Sequence, residues 1–135
     1  VGLRGAGAAA FSVEPDIAIA VDVTDTGDLP ERKTPMAVDM GKGPAVKVMD
    51  RSVICTPAVC AALEQAGADC GVATQREILQ FGGTDTAALQ KARAGVQAGA
   101  VSIPTRYIHS PSEMCAVSDV EGAAKLLAQF AAGQK

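Results

Sequence analysis

The chain has 135 residues, of which 48% are hydrophobic and 20% charged, as is typical of one globular domain with a modest core. Its net charge of −3 excludes a basic surface for nucleic acid. No run approaches the roughly 20 apolar residues that are needed to cross a bilayer, which excludes a membrane span. We therefore expect no nucleic acid and no membrane among its partners. The four cysteines form no CxxC pair, which favours reduced thiols in a cytoplasmic protein.

Two apolar runs in the first part of the chain predict strands. Residues 17–23 are apolar on both faces, as in a strand that is covered on both sides. Residues 45–49 alternate between apolar and polar, which predicts a more exposed strand. The segment between them, 24–43, is rich in Asp, Gly and Pro and predicts a long loop of the kind that often carries function.

Helix and strand signals alternate through the rest of the chain. A helix is predicted between its cap at Thr56 and a stop at Gly67. A strand follows at 72–78, and then a second helix that stops at Gly95.

The C-terminal part repeats this pattern. A strand at 98–103 is predicted to end at Pro104, which cannot donate to a central ladder. Ser118 and Glu121 form a capping-box pattern at the start of a final amphipathic helix. The alternation of strands and helices predicts an α/β layer architecture.

Asp22 is the first candidate for chemistry, because it lies at the end of the apolar run 17–23. Ligand sites in open α/β sheets lie off the carboxyl ends of the strands. A carboxylate at the end of a buried strand also costs free energy unless a cation or several donors meet it. Metal ligation and a structural role as a cap for backbone amides are both compatible with this pattern.

His109 is the second candidate and the only histidine of the chain. It also follows a predicted strand, so it could converge with Asp22 at one edge of the sheet. A carboxylate oxygen and an imidazole nitrogen are ligands that zinc or cobalt accepts, although a catalytic zinc usually has three protein ligands. A solvated or core-packed histidine is the structural alternative.

Two glycine-containing segments lie at the predicted start of a helix or strand. In GGTD at 82–85, Thr84 and Asp85 precede a helix whose amides could bind an anion or a carbonyl oxygen, or they act as a plain N-cap. In GKGP at 41–44 the Walker spacing and its Ser or Thr are missing, so a tight turn is predicted, with Lys42 a candidate to face the site.

Charged residues also flank the two leading candidates. Asp25 and Asp28 follow Asp22 and read as solvated turn residues, or as carboxylates that orient a ligand. Arg106 and Glu113 flank His109, where a surface ion pair is expected.

Taken in order, these segments resemble the dinuclear-metal aminopeptidases of the tetrahedral and glutamyl aminopeptidase family, which have often been labelled endoglucanases. The matching pieces are VGLRGA at 1–6, VDVT at 21–24, GDLP at 27–30, GKGP at 41–44, GGTD at 82–85 and RYIHSP at 106–111. One departure is Asp25, where the family commonly has His.

The resemblance implies a zinc-peptidase-like three-layer αβα domain with a mostly parallel or mixed sheet. It implies that Asp22 ligates one of two divalent metal ions, zinc or cobalt, and that His109 ligates the other. Thr84 and Asp85 would help to shape the pocket for peptide substrates. The intact protein would be a homo-oligomer.

The resemblance also implies that residues 1–135 form the C-terminal part of the catalytic domain. The family's remaining ligands and its general-base glutamate would lie upstream, the latter just before Val1, as would a small inserted β-rich domain. We therefore expect no catalytic residue in this chain, weak or absent metal binding, and no activity in isolation.

Two other functions remain open at this point. A glycoside hydrolase needs paired carboxylates in a sugar groove that is usually lined by aromatic residues, and the chain has no Trp, one Tyr and three Phe. A non-catalytic α/β binding module would use Asp22 and His109 only structurally. Substituting His109→Ala separates a metal enzyme from such a module.

Overall fold

The computed structural model describes residues 2–30 and 34–134. In chain order, the elements are α1 (Arg4–Val13), β1 (Ile17–Thr24), β2 (Ala45–Met49), α2 (Pro57–Asp69), β3 (Gln75–Ile78), α3 (Thr86–Gln90), β4 (Gln97–Arg106), β5 (Met114–Cys115) and α4 (Val117–Gly133). The predicted α/β class is confirmed. Between β1 and β2, the described residues contain no helix or strand, as the long-loop prediction requires.

The described strands form one mixed sheet in the order β1-β4-β2-β3, with β5 paired to the end of β4. β1 runs parallel to β4, and β2 runs parallel to β3, whereas β2 and β4 are antiparallel. Asp22 lies opposite Ser102, and Thr24 lies opposite Pro104. The carboxyl ends of β1 and β4 therefore lie at the same edge of the sheet, and both predicted metal ligands lie at or beyond that edge.

Helices cover the sheet on two sides. On one side, α2 and α4 pack Leu63, Leu126 and Phe130 against Val46 and Val101 of the sheet. On the other side, α3 contacts β1 and β4, and α1 packs on α3. Alternating alanines of β1 and β4, which are almost fully buried, allow this close approach (Ala18, Ala20, Ala98, Ala100). The result is the three-layer αβα arrangement.

The predicted exposure of β2 is wrong. β2 lies between β4 and β3, and Ala45, Val46 and Lys47 are fully buried. The alternation arises because Lys47 is buried in an ion pair with Glu77 of β3, rather than because that face meets water.

The predicted end of β4 at Pro104 is also wrong, because the strand continues to Arg106. β2 pairs with β4 only at Val101 and Ser102, so its ladder has ended before Pro104 is reached. Beyond the proline, the short strand β5 pairs with Thr105 and Arg106.

Helix ends differ from the predictions as well. α4 begins at Val117 with Ala116 as its N-cap residue, so Ser118 lies inside the helix and the capping box is wrong. α2 continues through Gly67, where a side chain would meet Thr74 Cγ2 at 2.8 Å, so close packing explains this glycine. α3 ends at Gln90, well before Gly95.

Two further differences lie at the ends of elements. The strand that was predicted over 72–78 is limited to Gln75–Ile78. Thr56 is the N-cap residue of α2, as predicted, but its Oγ1 accepts the Ala98 amide at 3.1 Å and so joins the helix start to β4. α1 and β5 were not predicted from the sequence.

Candidate functional site

Three of the four predicted site residues line one cavity with a volume of about 400 Å³. Asp22 comes from the end of β1, Thr84 from the segment before α3, and His109 from the turn that follows β4. Asp85 instead lines a separate hollow beside the start of α1. Parts of the chain that are far apart in sequence thus contribute a carboxylate, a hydroxyl and an imidazole to the same space.

Asp22 is exposed to solvent rather than buried. Its Oδ1 accepts the amide of Val23 at 2.8 Å, which holds the carboxylate at the strand end. The desolvation cost that is expected for a buried carboxylate therefore does not arise at Asp22. What distinguishes Asp22 is its position at the edge where β1 and β4 end together.

His109 lies in a turn with an unusual backbone. Tyr107 and His109 have φ angles of 57° and 61°, in the left-handed region, which costs roughly 1–2 kcal/mol for a residue with a side chain. The amide of His109 donates to Glu113 Oε1 at 2.6 Å, so a side chain of the same turn holds this conformation. Strained non-glycine residues that are held in place cluster at functional sites.

The expected ion pair between Arg106 and Glu113 is wrong, because each residue has another partner. Arg106 Nη2 lies 2.5 Å from Asp28 Oδ2, and its Nε donates to the same oxygen at 3.2 Å. The Arg106 guanidinium lowers the pKa of Asp28 to about 2. Asp28 is therefore a paired carboxylate that joins the loop after β1 to the end of β4.

Thr84 is buried at the base of the cavity, where it donates to Asp50 Oδ2 at 2.9 Å. Asp50 also accepts the Ser52 amide and hydroxyl, both at 2.7 Å, and the Val53 amide at 3.1 Å. Burial disfavours the charged form of Asp50, but the hydrogen bonds from Ser52 and Thr84 outweigh it and lower its pKa. The Asp50 carboxylate thus has a structural role, in which both of its oxygens accept hydrogen bonds.

The sequence reasoning missed a buried ionic cluster next to Asp50. Lys47 and Glu77 are both 0% exposed and form an ion pair, and Lys47 Nζ also lies 4.0 Å from Asp50 Oδ2. Thr24 donates to Glu77 Oε1 at 2.7 Å. The cluster therefore connects the end of β1 with Thr84. The signal that could have revealed it is the single lysine among the apolar residues of β2, whereas Glu77 lies in a largely polar strand and gives no such signal.

The glycine loop at 41–44 does not resemble a phosphate site in three dimensions. The amides of Gly41 and Gly43 donate to the two carboxylate oxygens of Asp119, at 2.7 Å and 2.9 Å. Lys42 pairs with Asp39 rather than facing the cavity. A carboxylate from α4 occupies the amides that an anion would need, which supports the prediction of a structural turn.

The donor set of the cavity fits a metal ion only in part. Asp22 and His109, both exposed to solvent, line the cavity with a carboxylate and an imidazole, and the half-buried Asp25 lines it as well. Within residues 2–30 and 34–134, however, no group of three or more His, Cys, Asp and Glu side chains could hold an ion. A catalytic zinc site, which usually has three protein ligands, would therefore require ligands from elsewhere.

All four cysteines carry free thiols, and Cys55 is buried while Cys115 is exposed. Among the helices of the described part of the chain, none is long and apolar enough to cross a bilayer.

Comparison with known proteins gives one family. The profile of the M42 glutamyl aminopeptidases matches residues 1–126. A protein from Acetivibrio thermocellus, whose name marks its aminopeptidase assignment as provisional, is 54% identical over 129 residues, which are 96% of this chain and 39% of that protein. The chain thus spans about two fifths of the length of this relative.

Two solved peptidase structures have the same fold as this chain. An aminopeptidase from the archaeon Desulfurococcus kamchatkensis superposes with a TM-score of 0.91 at 34% identity, over 99% of this chain and 38% of that one. The TET1 peptidase of Pyrococcus horikoshii, which can assemble into a tetrahedron or a large octahedral shell, superposes with a TM-score of 0.82 at 30% identity, over 97% and 37% of the two chains. By its sequence and its fold, this chain belongs to the M42 glutamyl aminopeptidase family.

Proposed function

We propose that this chain is part of a metal-dependent aminopeptidase that removes N-terminal residues from peptides. The observation that carries this proposal is the cavity in which Asp22 and His109, from the ends of neighbouring parallel strands, face the same space. Membership of the M42 family supports it. When bound, two divalent ions, zinc or cobalt, would supply a Lewis acid and a hydroxide at neutral pH.

The residues of this chain would have distinct roles at that site. The carboxylate of Asp22 would hold one ion, and the imidazole of His109 would hold the other. Thr84 shapes the base of the cavity, while Met36 and Phe81 provide apolar walls for a substrate side chain. We propose that the general base and the remaining ligands belong to a part of the enzyme outside residues 1–135, since the relatives are much longer than this chain.

The first test is metal content. After dialysis against trace zinc and cobalt, the purified 135-residue chain should hold almost no metal by plasma mass spectrometry, because one ligand cannot retain an ion. Two tightly held ions per chain would contradict our assignment of the ligands. Peptidase turnover by the chain alone would contradict it as well.

The second test is His109→Ala in the intact protein. We expect loss of one of two bound ions and loss of turnover on aminoacyl p-nitroanilides, with unchanged folding. Gln80→Ala is a matched control, since Gln80 lines the same cavity without a preferred metal-ligand atom. A non-catalytic binding module would keep its function in His109→Ala.

The glycoside-hydrolase alternative is not favoured by the cavity. Among the described residues that line it, Phe81 is the sole aromatic, whereas sugar grooves usually carry several. Release of reducing sugar from a soluble glucan, abolished by Asp22→Asn, would be the result that supports it.

We further propose that the intact protein forms a homo-oligomer in the cytoplasm. The TET1 peptidase of Pyrococcus horikoshii, which shares this fold, can assemble into a tetrahedron or a large octahedral shell. Light scattering coupled to size exclusion should therefore give a mass of many subunits for the intact protein. A monomer at micromolar concentration would contradict this assembly.

A further inference from the structure

The loop after β1 and the turn after β4 are tied together by one ion pair. Arg106 contacts Asp28 Oδ2 through Nη2 at 2.5 Å and through Nε at 3.2 Å. Asp28 follows Asp22 in the first segment, and Arg106 precedes His109 in the second. The pair therefore connects the two segments that carry the proposed metal ligands, and its side chains are only 30% and 22% exposed.

The Asp28 end of this pair is fixed by its own loop. The amide of Gly27 donates to the carbonyl of Val38 at 2.6 Å, and Val38 is fully buried. A Cβ at Gly27 would lie 2.0 Å from the carbonyl oxygen of Met36, so the two segments are in direct backbone contact. The neighbouring carboxylate is thus presented from a rigid surface.

The Arg106 end of the ion pair is fixed by the antiparallel pairing of β4 with β5. Arg106 pairs with Met114 of β5 in antiparallel register, which closes the turn that contains His109. Within that turn, Glu113 holds the His109 amide, and both Tyr107 and His109 are left-handed. Local bonds fix the shape of the turn, and the parallel pairing of β1 with β4 as far as Thr24 and Pro104 brings the two strand ends together. Beyond the end of that pairing, the ion pair links the loop after β1 to the last residue of β4, directly before the turn.

We propose that Asp28 and Arg106 are positioning residues that hold the imidazole of His109 at a set place relative to Asp22. This inference rests on the proposed function, because it assigns the pair a purpose at the metal site. The charges suit this role. A paired Asp28 does not compete with Asp22 for a cation, and a neutralised Arg106 does not repel one.

The test uses the fact that His109 is the only histidine, so that its ring gives one unambiguous signal in ¹H–¹³C spectra. We would compare the 135-residue chain with Asp28→Asn and Arg106→Lys, recording ring line shapes and the heteronuclear NOE of the His109 amide. Both variants should unfold cooperatively, yet show a mobile or displaced His109. Arg106→Lys keeps the charge and decides the question if Asp28→Asn does not fold.

The control is Glu64→Gln, which removes a similar contact between α2 and β3, made by two residues that do not line the cavity. Arg76 binds Glu64 through Nε at 2.6 Å and Nη2 at 3.0 Å. This variant should leave the His109 signals unchanged. In the intact enzyme, the Asp28 and Arg106 variants should lower metal affinity by roughly 10–100-fold, as is usual when the groups that orient ligands are lost.

The possible failures are distinguishable. If Asp28→Asn and Arg106→Lys leave the His109 signals as in Glu64→Gln, the positioning role is refuted whatever the enzyme does. If His109→Ala retains all metal in the intact protein, the proposed function fails, and with it the purpose of the pair.

Discussion

The buried pair of Lys47 and Glu77 offers the sharpest test of how this domain is stabilised. Both side chains are 0% exposed, and Glu77 also accepts the hydroxyl of Thr24. Lys47→Met removes the cation while nearly preserving side-chain length, and it leaves a carboxylate buried beside Asp50. Breaking a buried pair in this way costs about 3–5 kcal/mol.

That cost is large for a chain of this size. Domains are typically stable by about 5–15 kcal/mol, and 1 kcal/mol shifts the melting temperature of a domain of intermediate length by roughly 4 °C. We therefore expect Lys47→Met to melt about 12–20 °C below the wild type. Thermal unfolding followed by circular dichroism at neutral pH would measure the difference.

Two further variants separate the charge effect from simple loss of a side chain. Lys47→Met combined with Glu77→Gln should recover most of the stability, because no unpaired carboxylate remains at that position. Lys42→Met makes the same substitution at a lysine that is 67% exposed and paired with Asp39, and it should melt close to the wild type. The role assigned to the buried ion pair would be refuted if Lys47→Met lost less than about 1 kcal/mol of unfolding free energy. It would also be refuted if the double variant were no more stable than Lys47→Met.

Three other predictions follow from single contacts. The pKa of Asp28 is about 2 in the fold and about 3.9 when unfolded, so the stability that its charged form contributes is full above about pH 5 and is lost as the pH falls through 2. In urea unfolding, the difference in stability between the wild type and Asp28→Asn should therefore narrow over that pH range, and a constant difference would contradict the prediction. Gly43→Ala should lower the free energy of unfolding in urea by about 2–5 kcal/mol, because its φ is 95° and a Cβ would lie 2.0 Å from the carbonyl oxygen of Ala73. Gly41→Ala, with a φ of 84° and open space around the Cβ, should lower it by about 1 kcal/mol, and equal losses would argue against a clash at Gly43. Burial raises the pKa of the Cys55 thiol to about 12, so iodoacetamide at pH 8 should label the exposed Cys115 first and Cys55 last. Mass spectrometry would follow the order of labelling, and the reverse order would show that Cys55 is accessible.

The sequence by itself determined the fold class and the main elements. Apolar runs and helical spacing act over neighbouring residues, so β1, β2, α2 and α4 could be recognised within a few residues of their ends. The long loop was likewise evident from local composition. The order of the strands could not be read in this way, because pairing between distant segments leaves no local pattern.

Tertiary contacts decided the features that the sequence reasoning misjudged. Lys47 reads as a surface residue until Glu77 is found beside it in β3. The segment 41–44 reads as a plain tight turn until Asp119 of α4 is found to accept the amides of Gly41 and Gly43. Pro104 reads as a strand end until β2 is seen to leave β4 before it. In each case, a partner far along the chain changes the environment of the residue.

The candidate site divides in the same way. Residue type and position at strand ends directed attention to Asp22 and His109, and their roles as ligands stay predictions. Only the fold shows that both line one cavity with Thr84, while Asp85 lines another. The link between Asp28 and Arg106 also depends on folding, because a salt bridge between a loop and a strand end exists only once the parallel pairing of β1 with β4 has brought the two segments together.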